Sequence, residues 1–307
     1  MTLIVIGGAT ATGKSDLAVA LAKELKGQVI NADSMQLYKG MDIGTAKLTM
    51  TERQGVPHHL MDVLSVRQEA SVAQYQIDAR NLIDQLLVQC IPAVVVGGTG
   101  LYIKAILDDL NFPDTNPEVR ERIAKEAEEL GADVMHTRLA ALDPAASAAI
   151  PKENIRRVVR ALEVIELTGQ PYTANLPRAG SSKYPQAKQF GLVMERETLQ
   201  ERIDLRVEKM WEQGLVREVR DLMNEGLLEG RTAQAALGYA QIIKFAQGLL
   251  TEEEAKEETK RATRQYARRQ ETWFSRDERI TWLKKAPTQE LMERILLSTN
   301  ASNIGNI

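Results

Sequence analysis

Over the first hundred residues, short apolar runs alternate with longer amphipathic stretches, and that alternation predicts a parallel α/β sheet. Residues 3–6 are apolar and largely β-branched and run into Gly7-Gly8, so they read as a strand that ends in a loop. From Lys14 onward, Leu17, Ala18, Leu21, Ala22 and Leu25 recur on one face, which predicts a helix. Residues 28–32 and 93–96 read as further strands. The second of these does not alternate, as expected of a strand buried on both faces. Asp33 and Thr99 fall just past the ends of these strands. Ligands bind at the carboxyl edge of an open parallel sheet, so both positions should converge with the first loop.

A break rich in Asp, Asn and Pro at 108–117 ends the strand signal for about seventy residues. Asn116-Pro117-Glu118 is a helix start, with a cap, a proline in the first turn and an acid at the positive end of the dipole, and Gly131 is its stop. A second helix is predicted over 154–167, ending at Gly169-Gln170-Pro171. Pro171, Pro177, Pro185, Gly180 and a serine pair make 170–189 a loop. The sheet resumes at 190–194, followed by helices near 198–213, 215–224, 232–247 and 252–275, a short strand at 280–283, and an appended helix with a frayed end beyond Ala286. The fold class is therefore α/β, a P-loop-containing parallel-sheet core with a mainly helical insertion domain, divided as 1–115, 116–189 and 190–307.

Composition narrows the class further. The 307 residues leave room for about two domains at roughly 150 residues each. A hydrophobic share of 44% beside 26% charged residues excludes wholesale disorder. Cys90 is the single cysteine, which excludes an intrachain disulfide framework and a thiolate cluster; it is expected as a small core residue. No apolar run approaches the roughly 18 residues needed to span a bilayer, and the first residues carry no basic and long apolar leader. A cytoplasmic monomer without a membrane partner is expected. His58-His59 has no further ligand cluster near it in sequence and is expected to be structural.

Gly8-Ala9-Thr10-Ala11-Thr12-Gly13-Lys14-Ser15 matches G-x-x-x-x-G-K-[ST] between a strand and a helix. The glycines let the backbone turn its N–H groups and the helix dipole towards an anion, Lys14 adds a point charge, and Ser15 can offer a hydroxyl to Mg²⁺. The motif specifies a polyphosphate without specifying a nucleotide. An acid in the position of Asp33 could bind Mg²⁺, act as a general base, or cap the next helix. No strand ends in the apolar-run-then-Asp pattern that positions Mg²⁺ and water in nucleotide hydrolases, which weakens ATP hydrolysis as the main activity.

The phosphate loop at 8–15, Asp33-Ser-Met-Gln-Leu-Tyr38, Gly40-Met-Asp-Ile-Gly-Thr-Ala-Lys47, Pro57-His-His-Leu60, Gly97-Gly-Thr-Gly-Leu-Tyr102, Arg160-Ala-Leu-Glu-Val164 and Thr263-Arg-Gln-Tyr-Ala-Arg-Arg-Gln270 follow one another in order. With Thr272-Trp273-Phe274, this set resembles the tRNA dimethylallyltransferase (tRNA isopentenyltransferase) family over nearly the whole chain. The resemblance implies transfer of the dimethylallyl group of dimethylallyl diphosphate to N6 of adenosine 37, beside the tRNA anticodon. It implies that Asp33 is the general base and that Thr99 orients the same nucleobase. Lys14, Arg206 and Mg²⁺ near Ser15 would stabilise the leaving diphosphate. Arg202 and Arg206 stand one helical turn apart, and the resemblance brings Arg206 to the diphosphate from across the loop. The target base must be flipped out of its stack.

A formal charge of −3, from 39 basic against 42 acidic residues, by itself argues against a nucleic-acid partner. The sum hides segregation, because residues 260–269 hold five basic side chains and no acid while 251–258 hold five acids and one lysine. Arg261, Arg264, Gln265 and Arg268 recur at helical spacing beside Tyr266 and Trp273, and Arg156, Arg157 and Arg160 form a second basic cluster. The resemblance puts the anticodon stem-loop of tRNA on Arg120, Arg156, Arg157, Arg160, Arg264, Gln265 and Arg268, and on Asp33, Ser34, Met35, Gln36 and Thr99. Many family members carry polar or basic residues where this chain has Ala235 and Ala240, so of that patch only Gly238 and Tyr239 carry over. Two rival readings share the first hundred residues. A small-molecule or nucleoside kinase would hold ATP in the loop but leave the insertion and the basic helix without a task, and a non-catalytic RNA-binding nucleotide sensor would not need Asp33 and Thr99.

Overall fold

The computed structural model describes residues 2–175 and 182–304. Pro177, Gly180 and the last residues of the expected frayed end lie outside the described residues. The chain starts β1 (Leu3–Gly8), α1 (Lys14–Leu25), β2 (Gln28–Asn31), β3 (His58–His59), α2 (Val72–Val88), β4 (Ala93–Val96) and α3 (Gly100–Leu107). The insertion contributes α4 (Pro117–Leu130), α5 (Ala132–Leu142), α6 (Pro144–Ala149) and α7 (Ile155–Thr168). The remainder is β5 (Lys188–Val193), α8 (Arg196–Glu212), α9 (Leu215–Asn224), α10 (Tyr239–Ala246), α11 (Glu252–Phe274), β6 (Ile280–Lys284) and α12 (Thr288–Ile304).

All six strands are parallel in the order β3-β2-β4-β1-β5-β6. The central β1 is buried along its whole length because both faces are covered. Leu3 and Val5 pack with Ile83 of α2 and Ile106 of α3, whereas Ile4 and Ile6 pack with Leu17 of α1 and Leu291 of α12. Period-two alternation thus divides one apolar run between two cores. At the β2 edge, His58 Nδ1 lies 2.8 Å from the Val56 carbonyl and His59 Nε2 lies 2.6 Å from Gln28 Oε1. These histidines serve the sheet, as expected.

Compact grouping divides the chain into residues 1–107 with 184–307, and residues 108–183. The insertion therefore begins and ends earlier than 116–189. Residues 113 and 114 belong to it because Arg160 donates to the carbonyls of Pro113, at 2.7 Å, and Asp114. Tyr184 belongs to the sheet unit, where it is buried and hydrogen-bonds Asp84 Oδ1 at 2.8 Å. Within the insertion, Ile123, Met135, Leu139, Val158 and Leu162 form a separate helical core.

Two further expectations change. Cys90 is exposed, in a left-handed turn that follows α2. The helix expected over 232–247 is broken by Gly238 at φ 85°, leaving a short turn at Ala233–Ala235 and the helix α10. No helix among the described residues is long and apolar enough to cross a membrane.

Candidate active site

β1 delivers the phosphate loop to a cavity of about 670 Å³ above the carboxyl ends of β1, β2 and β4. Gly13 stands at φ 92°, a left-handed cap of α1 with no side-chain hydrogen bond, so the first-turn N–H groups of the helix face the cavity uncapped by any side chain. Ala11 is also left-handed, at φ 63°, a conformation that costs about 1 kcal/mol for a residue with a Cβ and persists only where its surroundings fix it. Those surroundings are specific. Thr12 Oγ1 and Lys14 Nζ donate to the Ala9 carbonyl at 2.9 and 2.5 Å, and Arg202 Nε donates to the Ala11 carbonyl at 2.9 Å. Gly8, Ala9 and Thr12 are buried beneath this turn, and Thr10, Ala11, Gly13, Lys14 and Ser15 line the cavity.

Asp33 follows β2 and faces Lys14 across the cavity. It caps the single 3₁₀ turn Ser34–Leu37, its Oδ1 accepting the Met35 N–H at 3.0 Å. The buried Asn31 sets the carboxylate's position, because its amide accepts the Asp33 N–H and donates to the carbonyls of Asp33 and Leu60, each at 2.9 Å. Burial raises the Asp33 pKa above the ordinary carboxylate value, against the pull of the Met35 N–H, Lys14 and Arg206. Burial also lowers the Lys14 ammonium to about 7, assisted by Arg206 and opposed by Asp33. The site thus holds an amine and a carboxyl group whose proton affinities have been brought together. Arg206, on α8, reaches Thr10 Oγ1 at 3.4 Å from the opposite wall.

Thr99 begins the turn into α3. Its Oγ1 accepts the Ser34 N–H at 3.1 Å and its hydroxyl lies 3.4 Å from Ser34 Oγ, so Asp33 and Thr99 flank the same short turn. Ser34, Met35 and Gln36 are half-buried there, with Gln36 Nε2 donating to the Thr45 carbonyl at 3.0 Å. Helix α11 covers this edge and fits it closely. A Cβ at Gly7 would meet the Phe274 ring, one at Gly98 would meet the Gln270 amide, and one at Gly100 would meet the Trp273 ring. Three glycines are therefore seats for one helix.

A family model described as IPP transferase matches residues 36–277. The chain belongs to this family. It is 58% identical over 287 residues to the tRNA dimethylallyltransferase of Thermobifida fusca, covering 92% of this chain and 89% of that one. It is similar to the crystal structure of the full-length tRNA isopentenylpyrophosphate transferase of Bacillus halodurans, at 37% identity and a TM-score of 0.73, covering 100% of this chain and 99% of that one. It is also similar to a eukaryotic dimethylallyltransferase acting on tRNA, at 28% identity and a TM-score of 0.78, covering 94% of this chain and 75% of that one.

The residues that the family resemblance assigns to RNA occupy unlike settings. On α11, Gln265 and Arg268 are exposed, whereas Arg264 is half-buried and held by Asp204 of α8. In the insertion, Arg156 and Arg157 are exposed. Arg120 and Arg160 both bind Glu163, each at 2.9 Å, and the fully buried Glu163 side chain also accepts the Asn116 N–H at 3.0 Å. Gly238 and Tyr239, also expected at the RNA, are both buried. The Tyr239 hydroxyl donates to Glu218 Oε1 at 2.5 Å, and Glu218 accepts the N–H groups of Asp42, Ile43 and Gly44 at 3.1, 2.7 and 3.2 Å. Tyr239 and Glu218 thus hold the turn that forms the cavity wall. Asn31, Glu163, Glu218 and Gln270 are structural determinants that the sequence reading does not single out.

Proposed function

We propose that the chain is a tRNA dimethylallyltransferase, moving the five-carbon group of dimethylallyl diphosphate to N6 of adenosine 37 in tRNA and releasing diphosphate. The observation that carries this reading is one cavity with a phosphate loop on one side and a raised carboxylate, Asp33, on the other. As the allylic C–O bond breaks, its electron pair passes to the diphosphate oxygen. Loop N–H groups, Lys14 and Arg206 meet that growing charge, which stabilises the transition state more than the ground state. The N6 lone pair attacks the allylic carbon, and the N6 proton passes to Asp33, whose raised pKa makes it a stronger base than an ordinary carboxylate. Thr99, held by Ser34, orients the flipped base.

The loop suits Mg²⁺, which takes most of its oxygen ligands from phosphates and water and only one or two from protein. Ser15 lines the cavity at the end of the loop and would hold the ion together with diphosphate oxygens. When bound, the ion supplies charge neutralisation for the leaving group. Arg156, Arg157, Gln265 and Arg268 offer exposed groups to RNA phosphates. Every group named comes from one chain, so a monomer suffices for the reading, and a cytoplasmic enzyme accords with it. The test is to incubate the protein with unmodified tRNA, Mg²⁺ and dimethylallyl diphosphate, then digest the RNA and weigh the nucleosides. Prenylated adenosine is the expected product. Unmodified adenosine, with phosphate transfer from ATP to a small acceptor, would make the protein a kinase instead.

A further inference from the structure

Gln270 lies on α11 with 4% of its surface exposed, yet both ends of its carboxamide are bonded. Its Oε1 accepts the Thr10 N–H of the phosphate loop at 2.8 Å, and its Nε2 donates to the Gly98 carbonyl beyond β4 at 2.9 Å. The reversed amide would set donor against donor and acceptor against acceptor, so its surroundings fix its orientation. Gly98 supplies the room, since a Cβ there would meet the Gln270 nitrogen. The contact fixes the residue just before the left-handed Ala11, in a loop whose conformation must be imposed from outside. Other restraints on that loop come from within it or from the α8 arginines Arg202 and Arg206, which also line the cavity. Gln270 is a neutral restraint from a third direction.

We propose that Gln270 is a positioning residue for the diphosphate, acting through the Thr10 N–H and the Gly98 carbonyl to hold the phosphate loop in its receiving shape. This rests on the reading above for the identity of the ligand. The side chain reaches the loop backbone, leaving the reacting atoms to Asp33, Lys14 and Arg206. Glutamate at 270 separates positioning from general stability. A protonated carboxyl group matches the carboxamide, with a C=O for Thr10 and an O–H for Gly98, whereas the ionised form loses the donor and turns a negative charge towards the diphosphate.

The experiment measures binding of inorganic diphosphate with Mg²⁺ by calorimetry from about pH 5.5 to about pH 8.5, for the wild type, Gln270→Leu and Gln270→Glu. Transfer kinetics and melting temperatures are measured alongside. Gln270→Leu is expected to bind diphosphate about tenfold more weakly, the effect of about one hydrogen bond, and to raise KM for dimethylallyl diphosphate with KM for tRNA little changed. Gln270→Glu should bind at least as weakly at the top of the range and approach the wild type as pH falls. The titratable and charged groups that face the loop and Gln270 are Lys14 and Asp16 of α1, Asp33 after β2, Arg202 and Arg206 of α8, Tyr266 of α11 and Lys285 after β6; every variant keeps them all, so the ratio to the wild type at each pH reports the change made at residue 270. The proposal is overturned if both variants bind diphosphate like the wild type. It is equally overturned if both lose binding and lowering the pH restores nothing to Gln270→Glu. A wild type that binds diphosphate without prenylating tRNA would sink the functional reading, while the binding comparison would still decide the role of Gln270.

Discussion

Arg264 on α11 places one guanidinium nitrogen 2.5 and 2.7 Å from the two carboxylate oxygens of Asp204 on α8. The pair ties the basic helix to the helix that carries Arg202 and Arg206, so an arginine expected on RNA is already engaged inside the protein. Asp204→Asn should release it. The expected outcome is tighter tRNA binding at low salt, with a salt dependence steeper by about one phosphate contact, read from binding curves at several salt concentrations. An unchanged slope would assign Arg264 to the α8 contact alone.

Asp33 combines a capping role with the proposed chemistry, and two substitutions separate these. Asparagine caps as well as aspartate but cannot take a proton, so Asp33→Asn should keep the melting temperature and lower kcat by about 10²–10⁴-fold. Asp33→Ala should lose the same activity and about 1 kcal/mol of stability as well. Binding of tRNA should survive both changes, because phosphate contacts dominate such interfaces. Retained turnover in Asp33→Asn would remove the general-base assignment.

The lowered pKa of Lys14 makes both stability and ligand affinity depend on pH. Its value in the folded protein, about 7, lies below its ordinary 10.5, so the folded state bears the cost of the buried charge below pH 7 and is relieved of it as pH rises from 7 to 10.5. Lys14→Met should therefore be stabilising relative to the wild type at pH 6, with the difference shrinking across that window in thermal melts. Diphosphate favours the ammonium form, so binding above pH 7 should take up a proton and weaken as pH rises. Calorimetry at pH 8 in buffers of different ionisation enthalpy measures that uptake directly.

Glu218 holds three backbone N–H groups of the Asp42–Gly44 turn and the Tyr239 hydroxyl. Glu218→Ala leaves these donors without their charged acceptor and is expected to cost about 2–3 kcal/mol in denaturant unfolding, since hydrogen bonds to ionised groups contribute about 1.5–3 kcal/mol. Tyr239→Phe removes one of the four and should cost about 1.5 kcal/mol, the low end of that range, because three backbone donors still hold the carboxylate.

The sheet core was legible where one strand carries its own signal. β1, β4 and the loop between β1 and α1 follow from apolar runs and glycine placement, and the position of Asp33 and Thr99 follows from strand ends. Helix α2 is not among the elements expected from the sequence: its buried Tyr75, Ala79, Ile83 and Leu86 follow a Ser71 cap at helical spacing, but the many polar residues between them conceal that pattern. β3 is two residues long and has no pattern of its own. Arg120, Arg160 and Arg264 appear in the sequence as charges, and nothing in their spacing discloses Glu163 or Asp204 as partners. Gln270 and Glu218 act on backbone groups more than 170 positions away, and no local periodicity encodes such a bond. Gly97-Gly98-Thr99-Gly100 looks like a ligand-binding turn, yet Gly98 and Gly100 are small because α11 lies on them.

The seating of α11 on Gly7, Gly98 and Gly100 also bears on how the protein is made. β1 is synthesised well before its neighbour β5 and the helix that covers its end, which lie roughly 180 residues and more further along the chain, on the order of ten seconds of translation or longer. Until then the phosphate loop has no lid of α11 side chains and the sheet presents an unpaired edge beside its central strand. The central strand is thus made early and acquires its final surroundings late, and in the interval its unpaired edge is open to the mispairing that exposed strand edges invite.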